Sequence, residues 1–134
     1  MKDDIRVILA DNNVQDRESK KRLLNEQGIQ VVYETGDGKK ALENIKKLKP
    51  DVVVMDMILP GVDGLEILEE CREFTEYKPL FIIATALRRE GLIEQALAQG
   101  ANYYMMKPLS ATMLIKRIRQ IAASVGEGEE GQAA

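Results

Sequence analysis

Five short apolar runs recur along the chain, and stretches with helical spacing separate them. The runs cover residues 5–10, 30–35, 51–56, 80–85 and 102–107, and they are rich in Val, Ile, Leu, Tyr and Met. The third and fourth runs contain VVVM and LFIIA, which are apolar without alternation. This pattern is typical of strands that helices cover on both faces of a parallel sheet. The sequence therefore predicts five strands, of which the third and fourth are expected to be covered on both faces.

Helical periodicity connects these runs. It is clearest where apolar residues fall on one helical face, at Leu114, Ile115, Ile118, Ile121 and Ala122. The same spacing recurs over residues 41–48, 65–74 and 92–97, and a more polar helix is predicted over 14–27. This βα alternation with short connections predicts an α/β fold, the flavodoxin-like (βα)5 open parallel sheet with strand order 2-1-3-4-5 and helices on both faces.

The chain has the length of one domain. Its 134 residues can bury a single core, which we place in residues 1–124. Residues 125–134 contain GEGEEGQAA, which has no apolar period, and they are expected to form a flexible tail or the start of a linker to an effector. No signal peptide or membrane-spanning run is visible, so a cytoplasmic location is expected, and the single Cys71 excludes an internal disulfide.

Composition narrows the chemistry, because the chain contains no histidine. Catalytic triads, a histidine base and histidine metal sites are all excluded, and carboxylate, hydroxyl and lysine chemistry remain. The net charge is −3, with basic residues scattered among acids, so this segment is not expected to bind nucleic acid directly.

Polar residues end or directly follow four of the predicted strands. Parallel sheets place their sites at the carboxyl ends of strands, where the strand order reverses. The residues at these ends are Asp11, Asn12, Asp56, Thr85 and Lys107. Each has a simpler explanation, since Asp and Asn form turns or cap helices, Thr occurs within strands, and Lys is commonly solvated. The combination of the four ends favours a site.

Four motifs carry a family resemblance. They are VILADNN at the first strand end, VVVMDMILPGVDGLEIL around the third, FIIATA at the fourth and GANYYMMKPL at the fifth. Over residues 5–124 the chain resembles a CheY-like receiver domain of a two-component response regulator. Within that family, ADNN, DMILPGVDGLEIL and GANYYMMKPL are most similar to the receiver half of sporulation transcription regulators of spore-forming bacteria, in which a DNA-binding effector follows.

The resemblance implies a role for each strand-end residue. Asp56 is the nucleophile that accepts a phosphoryl group as an acyl phosphate. Asp11, Asn12, Asp56 and the backbone carbonyl of Ile58 are expected to hold Mg²⁺, with Ca²⁺ or Mn²⁺ as substitutes, because oxygen ligands suit a hard cation.

Lys107 is expected to pair first with Asp56 and then with a phosphoryl oxygen, while Thr85 donates its hydroxyl to the new group. The resemblance also implies a switch in which Thr85 moves toward the phosphoryl group and Tyr104 occupies the vacated space. The alternative is that Tyr103 and Tyr104 merely cover a strand edge. A cis bond between Lys107 and Pro108 is predicted as well.

Because the chain contains no histidine, a partner protein is expected to supply the phosphoryl group. The donor must come from another protein, which in this family is a phosphohistidine on a sensor histidine kinase or a histidine phosphotransfer protein. The domain is not expected to be an enzyme beyond its own phosphorylation and dephosphorylation, and phosphorylation is expected to change its affinity for partners, including a second receiver. The polar face of the first helix, with Arg17, Lys20, Lys21 and Arg22, is either a recognition surface or simply solvated.

Asn12 departs from the family, whose members usually carry a second acid at this position. The loss of one charge weakens the expected metal site, so one alternative is a receiver that is not phosphorylated and acts as a binding or dimerisation module.

A second alternative is a flavodoxin-like mononucleotide carrier, which needs a Ser-, Thr- or Gly-rich loop where this chain has DNNVQD. The resemblance also implies that the apolar residues Ile58 and Leu87 flank the path of hydrolytic water, so slow self-hydrolysis is expected. The alternative is that these two side chains merely cap the core.

Overall fold

A computed structural model describes residues 4–86 and 90–133. Strands and helices alternate along the chain throughout, and the predicted strand bounds are confirmed to within one residue. The elements are β1 Arg6–Ala10, α1 Val14–Glu26, β2 Gln30–Thr35, α2 Gly38–Leu48, β3 Val52–Asp56, α3 Gly64–Arg72, β4 Leu80–Thr85, α4 Glu90–Ala98, β5 Tyr103–Met106 and α5 Ala111–Ala133.

The strands form one parallel sheet with the order β2-β1-β3-β4-β5, which confirms the predicted topology. Strand β3 lies at the centre and is buried along its whole length. Its neighbour β1 is paired so that Ala10 lies opposite Met55, and on the other side Asp56 lies opposite Ala84 of β4. The carboxyl ends of β1, β3 and β4 therefore meet at one edge, where the strand order reverses.

Two apolar clusters cover the two faces of the sheet. Helices α2, α3 and α4 contribute buried side chains to one cluster, and α1 and α5 contribute to the other. The predicted face of α5 is confirmed, with Leu114 and Ile118 fully buried. The face predicted for α4 is only partly buried, since Ala96 is covered while Leu97 is 41% exposed. Alternating side chains of each strand therefore point to opposite faces of the sheet and pack into the two different clusters.

Helix α5 extends to Ala133, whereas the sequence predicts a flexible tail from residue 125. Residues 111–122 are anchored by packing against the sheet. Once that anchored part is helical, each added residue gains one backbone hydrogen bond without the cost of a new nucleus, so the helix can extend into a segment that would not start one. Within the described residues no helix is both long and apolar enough to cross a membrane.

The loop that follows β3 packs closely against the start of α2. The backbone N–H of Gly38 donates to the carbonyl of Pro60 at 2.9 Å. A Cβ atom on Gly38 would lie 1.7 Å from the carbonyl oxygen of Val62, which no real contact allows. Only glycine lets the two backbones approach this closely, and the contact fixes the loop that carries Ile58.

Replacing Gly38 with alanine is expected to lower the free energy of unfolding by about 1–3 kcal/mol, because the methyl group forces the loop away from α2. Urea denaturation measures this change. Gly91→Ala in α4 is the matched control, since nothing lies within 4 Å of its added Cβ. That variant should be as stable as the natural chain or more stable, and an equal loss in both variants would contradict the steric explanation.

Candidate functional site

Two carboxylates and one ammonium group meet at the carboxyl edge of the sheet. The Nζ atom of Lys107 lies 2.9 Å from Oδ2 of Asp56 and 3.2 Å from Oδ1 of Asp11. Lys107 follows β5, and its backbone N–H donates to the carbonyl of Thr85 at 2.8 Å, which ties the ends of β4 and β5 together. The bond from Lys107 to Pro108 is cis, as the sequence predicts. The fold thus joins residues up to 96 positions apart.

The environment of Asp56 disfavours its charged form. The residue is only 8% exposed, and burial raises the pKa of its carboxyl, a shift that the neighbouring charge of Asp11 reinforces and the hydrogen bond from Lys107 opposes. Burial acts against the charge of Lys107, but its hydrogen bond to Asp56 and the two carboxylate charges outweigh that effect and raise its pKa. Two carboxylates therefore share one ammonium group. The remaining negative charge would attract a further cation.

Asp56→Asn is expected to raise the free energy of unfolding at pH 8 by about 0.5–2 kcal/mol, the usual size for a stabilising substitution. Because the pKa of Asp56 is raised on folding, the folded state binds the proton more readily, and this carboxyl destabilises the fold most when it is charged. The gain should shrink as the pH falls below that raised pKa and vanish only below the ordinary value of 3.8, where the carboxyl is neutral in the unfolded chain as well. Urea denaturation across pH measures it, and a variant that is less stable at pH 8 would contradict the assignment.

Helix capping after β1 is carried out by Asn13, not by Asp11 or Asn12. The Asn13 side chain accepts a hydrogen bond from the backbone N–H of Asp16 at 3.0 Å. Asp11 accepts from the backbone N–H of Asn13 at 2.9 Å through the same oxygen that faces Lys107. The Asn12 residue is exposed. Capping therefore accounts for one of the three polar residues and leaves the other two available to the site.

The oxygen donors at this edge fit a hard divalent cation. The carboxylates of Asp11 and Asp56 converge on one point, and their joint charge exceeds that of the ammonium between them. No group of three or more acidic, histidine or cysteine side chains suited to a metal occurs in residues 4–86 and 90–133. A cation here would consequently need neutral oxygens as well, and the exposed Asn12 amide and the Ile58 carbonyl are the candidates.

Thr85 and Tyr104 lie on the same side of the sheet. Thr85 ends β4 and is 3% exposed. Tyr104 pairs in register with Ile83, two residues before Thr85, and is 40% exposed. Tyr103 instead packs against the α1 and α5 side, with the Arg117 guanidinium 4.3 Å from its ring centroid. Covering the strand edge thus describes Tyr103, while Tyr104 lies on the side of the sheet that carries Thr85, and the switch stays a prediction.

The first helix differs from its predicted polar surface at two residues, since Arg17 and Lys20 are both partly buried. The side chain of Arg17 is only 13% exposed, and its guanidinium donates to the backbone carbonyl of Asp11 at 2.6 Å and to Glu34 at 3.3 Å. Lys21 and Arg22 are exposed, as predicted. The spacing of seven between Arg17 and the buried Leu24 places both on one helical face. That spacing could have revealed that Arg17 is covered, but not which groups it contacts.

The structure describes one of the two residues that are expected to exclude hydrolytic water. The side chain of Ile58 is 61% exposed and stands beside the site at the start of the loop after β3. Leu87 lies outside the described residues. The proposed shielding therefore stays a prediction.

Comparison with known proteins identifies the fold and the family. The sequence profile of the response regulator receiver domain matches residues 7–119. The chain is 34% identical over 129 residues to the transcriptional regulatory protein PdtaR of Mycobacterium tuberculosis, covering 91% of this chain and 62% of that protein. It is 38% identical over 120 residues to the transcriptional regulatory protein TrcR of the same species, covering 86% and 44%. It thus spans less than two thirds of these relatives.

Solved receiver structures agree with this match. The signal receiver domain of NarL from Mycobacterium tuberculosis superposes with a TM-score of 0.84 at 31% identity, covering 91% of this chain and 98% of that one. The response regulator domain of Thermotoga maritima CheB gives a TM-score of 0.79 at 30% identity, covering 90% and 97%. These similarities support the receiver resemblance but give no support to a particular closeness to sporulation regulators.

Proposed function

This chain belongs to the family of response regulator receiver domains, and we propose that it is a signalling switch that accepts a phosphoryl group on Asp56. The observation that supports this most directly is the contact of Lys107 with both Asp56 and Asp11. A buried acid beside a fixed cation and a second acid suits phosphoryl transfer, in which charge neutralisation does most of the work.

The proposed reaction moves a phosphoryl group from a phosphohistidine of a kinase or phosphotransfer protein. An oxygen of Asp56 attacks phosphorus, the new P–O bond forms as the P–N bond breaks, and the leaving imidazole retains its electron pair and takes a proton from solvent. Lys107 releases the attacking oxygen and neutralises a phosphoryl oxygen. Thr85 donates its hydroxyl to another oxygen, and Tyr104 then fills the space that Thr85 leaves.

Mg²⁺, with Ca²⁺ or Mn²⁺ as substitutes, would supply further positive charge to the phosphoryl oxygens when bound. Asp11, Asp56, the Asn12 amide and the Ile58 carbonyl are the residues that would hold it. Beyond its own phosphorylation and dephosphorylation we propose no catalytic activity. One relative, a protein-glutamate methylesterase of Methanospirillum hungatei, matches over 35% of its length, and its activity is not assigned to this chain.

Mass spectrometry of the intact protein tests the proposal. After incubation with a small phosphodonor and Mg²⁺, we expect one added phosphoryl mass in the natural chain and none in Asp56→Ala. Asp51→Ala, which removes an acid at the opposite end of β3, is the control and should still gain the mass. An added mass that persists in Asp56→Ala would refute the assignment of the nucleophile.

The alternative is a receiver that is not phosphorylated and acts as a binding or dimerisation module. The neutral, exposed Asn12 favours it, because the site holds one acid fewer than the family pattern. Failure of the natural chain to gain a phosphoryl mass, together with unchanged binding of its partners in Asp56→Ala, would support this alternative.

Asn12→Asp is expected to strengthen Mg²⁺ binding by about tenfold or more, since carboxylate charge count tunes affinity for hard cations over orders of magnitude. Isothermal titration calorimetry measures the change. Asn13→Asp adds the same charge at the helix cap and serves as the control. Equal dissociation constants for Asn12→Asp and the natural chain would mean that residue 12 does not touch the cation.

The output is proposed to be transcriptional, because PdtaR and TrcR are both transcriptional regulatory proteins. A cytoplasmic location, a receiver homodimer formed on phosphorylation and an effector that follows residue 134, with residues 125–134 as the start of its linker, are parts of the same proposal. A sporulation role rests only on the motifs ADNN, DMILPGVDGLEIL and GANYYMMKPL. Size-exclusion chromatography with and without phosphoryl loading tests dimerisation, and an unchanged elution volume would count against it.

A further inference from the structure

Arg17 and Glu34 form an inward-facing ion pair beside the proposed phosphorylation site. The Nε atom of Arg17 donates to Oε1 of Glu34 at 3.3 Å, and the two side chains are 13% and 21% exposed. Glu34 lies near the end of β2, and its other oxygen is buried without a hydrogen-bond partner, 3.6 Å from Nζ of Lys21. The pair therefore lies between α1 and the edge of the sheet.

The free end of the guanidinium reaches the backbone of Asp11. Its NH1 group donates to the Asp11 carbonyl at 2.6 Å, a short contact between a charged donor and a peptide oxygen. The Asp11 N–H donates in turn to the carbonyl of Thr35 in β2 at 2.9 Å. Both backbone groups of Asp11 are thus fixed, the carbonyl by Arg17 of α1 and the N–H by Thr35 of β2, which limits where its carboxylate can point.

Neither capping nor phosphoryl transfer uses this pair. Asn13 caps α1, and the groups assigned to phosphoryl transfer are Asp56, Lys107 and Thr85. An arginine that only solvated the helix would extend into water, as the exposed Arg22 does. Here the guanidinium is withdrawn from water and given two acceptors, so its desolvation is offset only by holding Glu34 and Asp11 together.

We propose that Arg17, held by Glu34, is a positioning residue that orients Asp11 for cation binding. The inference rests on the proposed function, since it concerns the affinity of the same site. Loss of a residue that orients a metal ligand typically weakens affinity about 10–100-fold. In this chain the effect is enlarged, because Asn12 contributes no charge and Asp11 is one of only two carboxylates assigned to the cation.

The test compares Mg²⁺ dissociation constants by calorimetry for Arg17→Ala, Glu34→Gln and the double variant. Each single variant is expected to weaken binding by about tenfold, within the roughly 10–100-fold range for groups that orient metal ligands. Since Glu34 acts through Arg17, the double variant should bind no more weakly than Arg17→Ala. Arg17→Lys, which keeps one donor for the Asp11 carbonyl, should recover part of the affinity.

Lys21→Ala is the matched control, because Lys21 approaches the same Glu34 but belongs to the exposed surface of α1, with a side chain that is 47% exposed. It should bind Mg²⁺ within about twofold of the natural chain, well below the roughly tenfold change expected for the positioning pair. Urea denaturation of all variants without Mg²⁺ separates lost stability from lost affinity. Unchanged dissociation constants with reduced stability would overturn the proposal and leave a purely structural ion pair.

Phosphoryl loading distinguishes failure of the positioning role from failure of the proposed function. A natural chain that binds Mg²⁺ and gains the phosphoryl mass on Asp56, beside Arg17 and Glu34 variants of equal affinity, would refute the positioning role alone. A natural chain that binds no Mg²⁺ and gains no mass would refute both the positioning role and the proposed function.

Discussion

Asp11→Ala is expected to weaken Mg²⁺ binding by about 100-fold or more, beyond the loss typical of residues that merely orient a ligand. Only Asp56 would then remain as a charged donor, and Lys107, now 2.9 Å from Asp56 and 3.2 Å from Asp11, would pair with Asp56 alone. A single carboxylate already neutralised by an ammonium attracts a divalent cation weakly. Calorimetry at constant ionic strength measures the dissociation constant.

Asp37→Ala is the control for this prediction. Asp37 caps α2 by accepting a hydrogen bond from the backbone N–H of Lys40 at 2.9 Å, and it follows the carboxyl end of β2. Asp37→Ala removes one negative charge, as Asp11→Ala does. Its variant should lose some stability, as capping substitutions do, while retaining Mg²⁺ affinity. Comparable losses of affinity in the two variants would mean that overall charge, and not ligation by Asp11, governs binding.

The sheet was predictable because its signals are local and repeated. The apolar runs set the strands, and their alternation with helical periods leaves few topologies once crossovers are right-handed. The strand order then places Asp11 and Asp56 at one edge, and the structure agrees. Patterns of apolar and polar residues could go this far because burial of apolar surface drives folding more than any other interaction, and the patterns record which residues are buried.

Side-chain reach was not predictable from the same patterns. Arg17 has the polar character of its neighbours, yet its long side chain turns inward to the Asp11 carbonyl and Glu34. The contact between Gly38 and Val62 depends on how two backbones meet, which no periodicity records. Such contacts depend on distances between elements, whereas the pattern specifies only which face of each element is covered.

The conformation of the segment after residue 124 could not be read from composition for a different reason. Glycine and glutamate in residues 125–134 predict flexibility from composition, but α5 continues to Ala133. Composition weighs each residue alone, while helix formation is cooperative, and an anchored helix can extend through residues that would not start one. Whether this segment leads to an effector is part of the proposed function and is independent of its local conformation.

Lys107→Ala is expected to slow phosphoryl loading of Asp56 by about 10²–10³-fold, the cost of removing one fixed donor from developing charge. The ammonium already lies 2.9 Å from Asp56, so little rearrangement separates its resting contact from a phosphoryl oxygen. Intact-mass measurements over time, with saturating phosphodonor and Mg²⁺, give the rate. Lys20→Ala is the control, because Lys20 lines the same small cavity as Asp11 and Asp56 and carries the same charge.

Although Lys107→Ala should slow phosphoryl loading, it should strengthen Mg²⁺ binding. Without Lys107, the carboxylates of Asp11 and Asp56 lose the ammonium that they share, so Mg²⁺ meets more uncompensated negative charge and should bind more tightly. A misfolded site would lose both phosphoryl loading and Mg²⁺ binding. Slower loading with tighter Mg²⁺ binding would therefore separate a direct role in phosphoryl transfer from structural damage, and loading at the natural rate would refute the role assigned to Lys107.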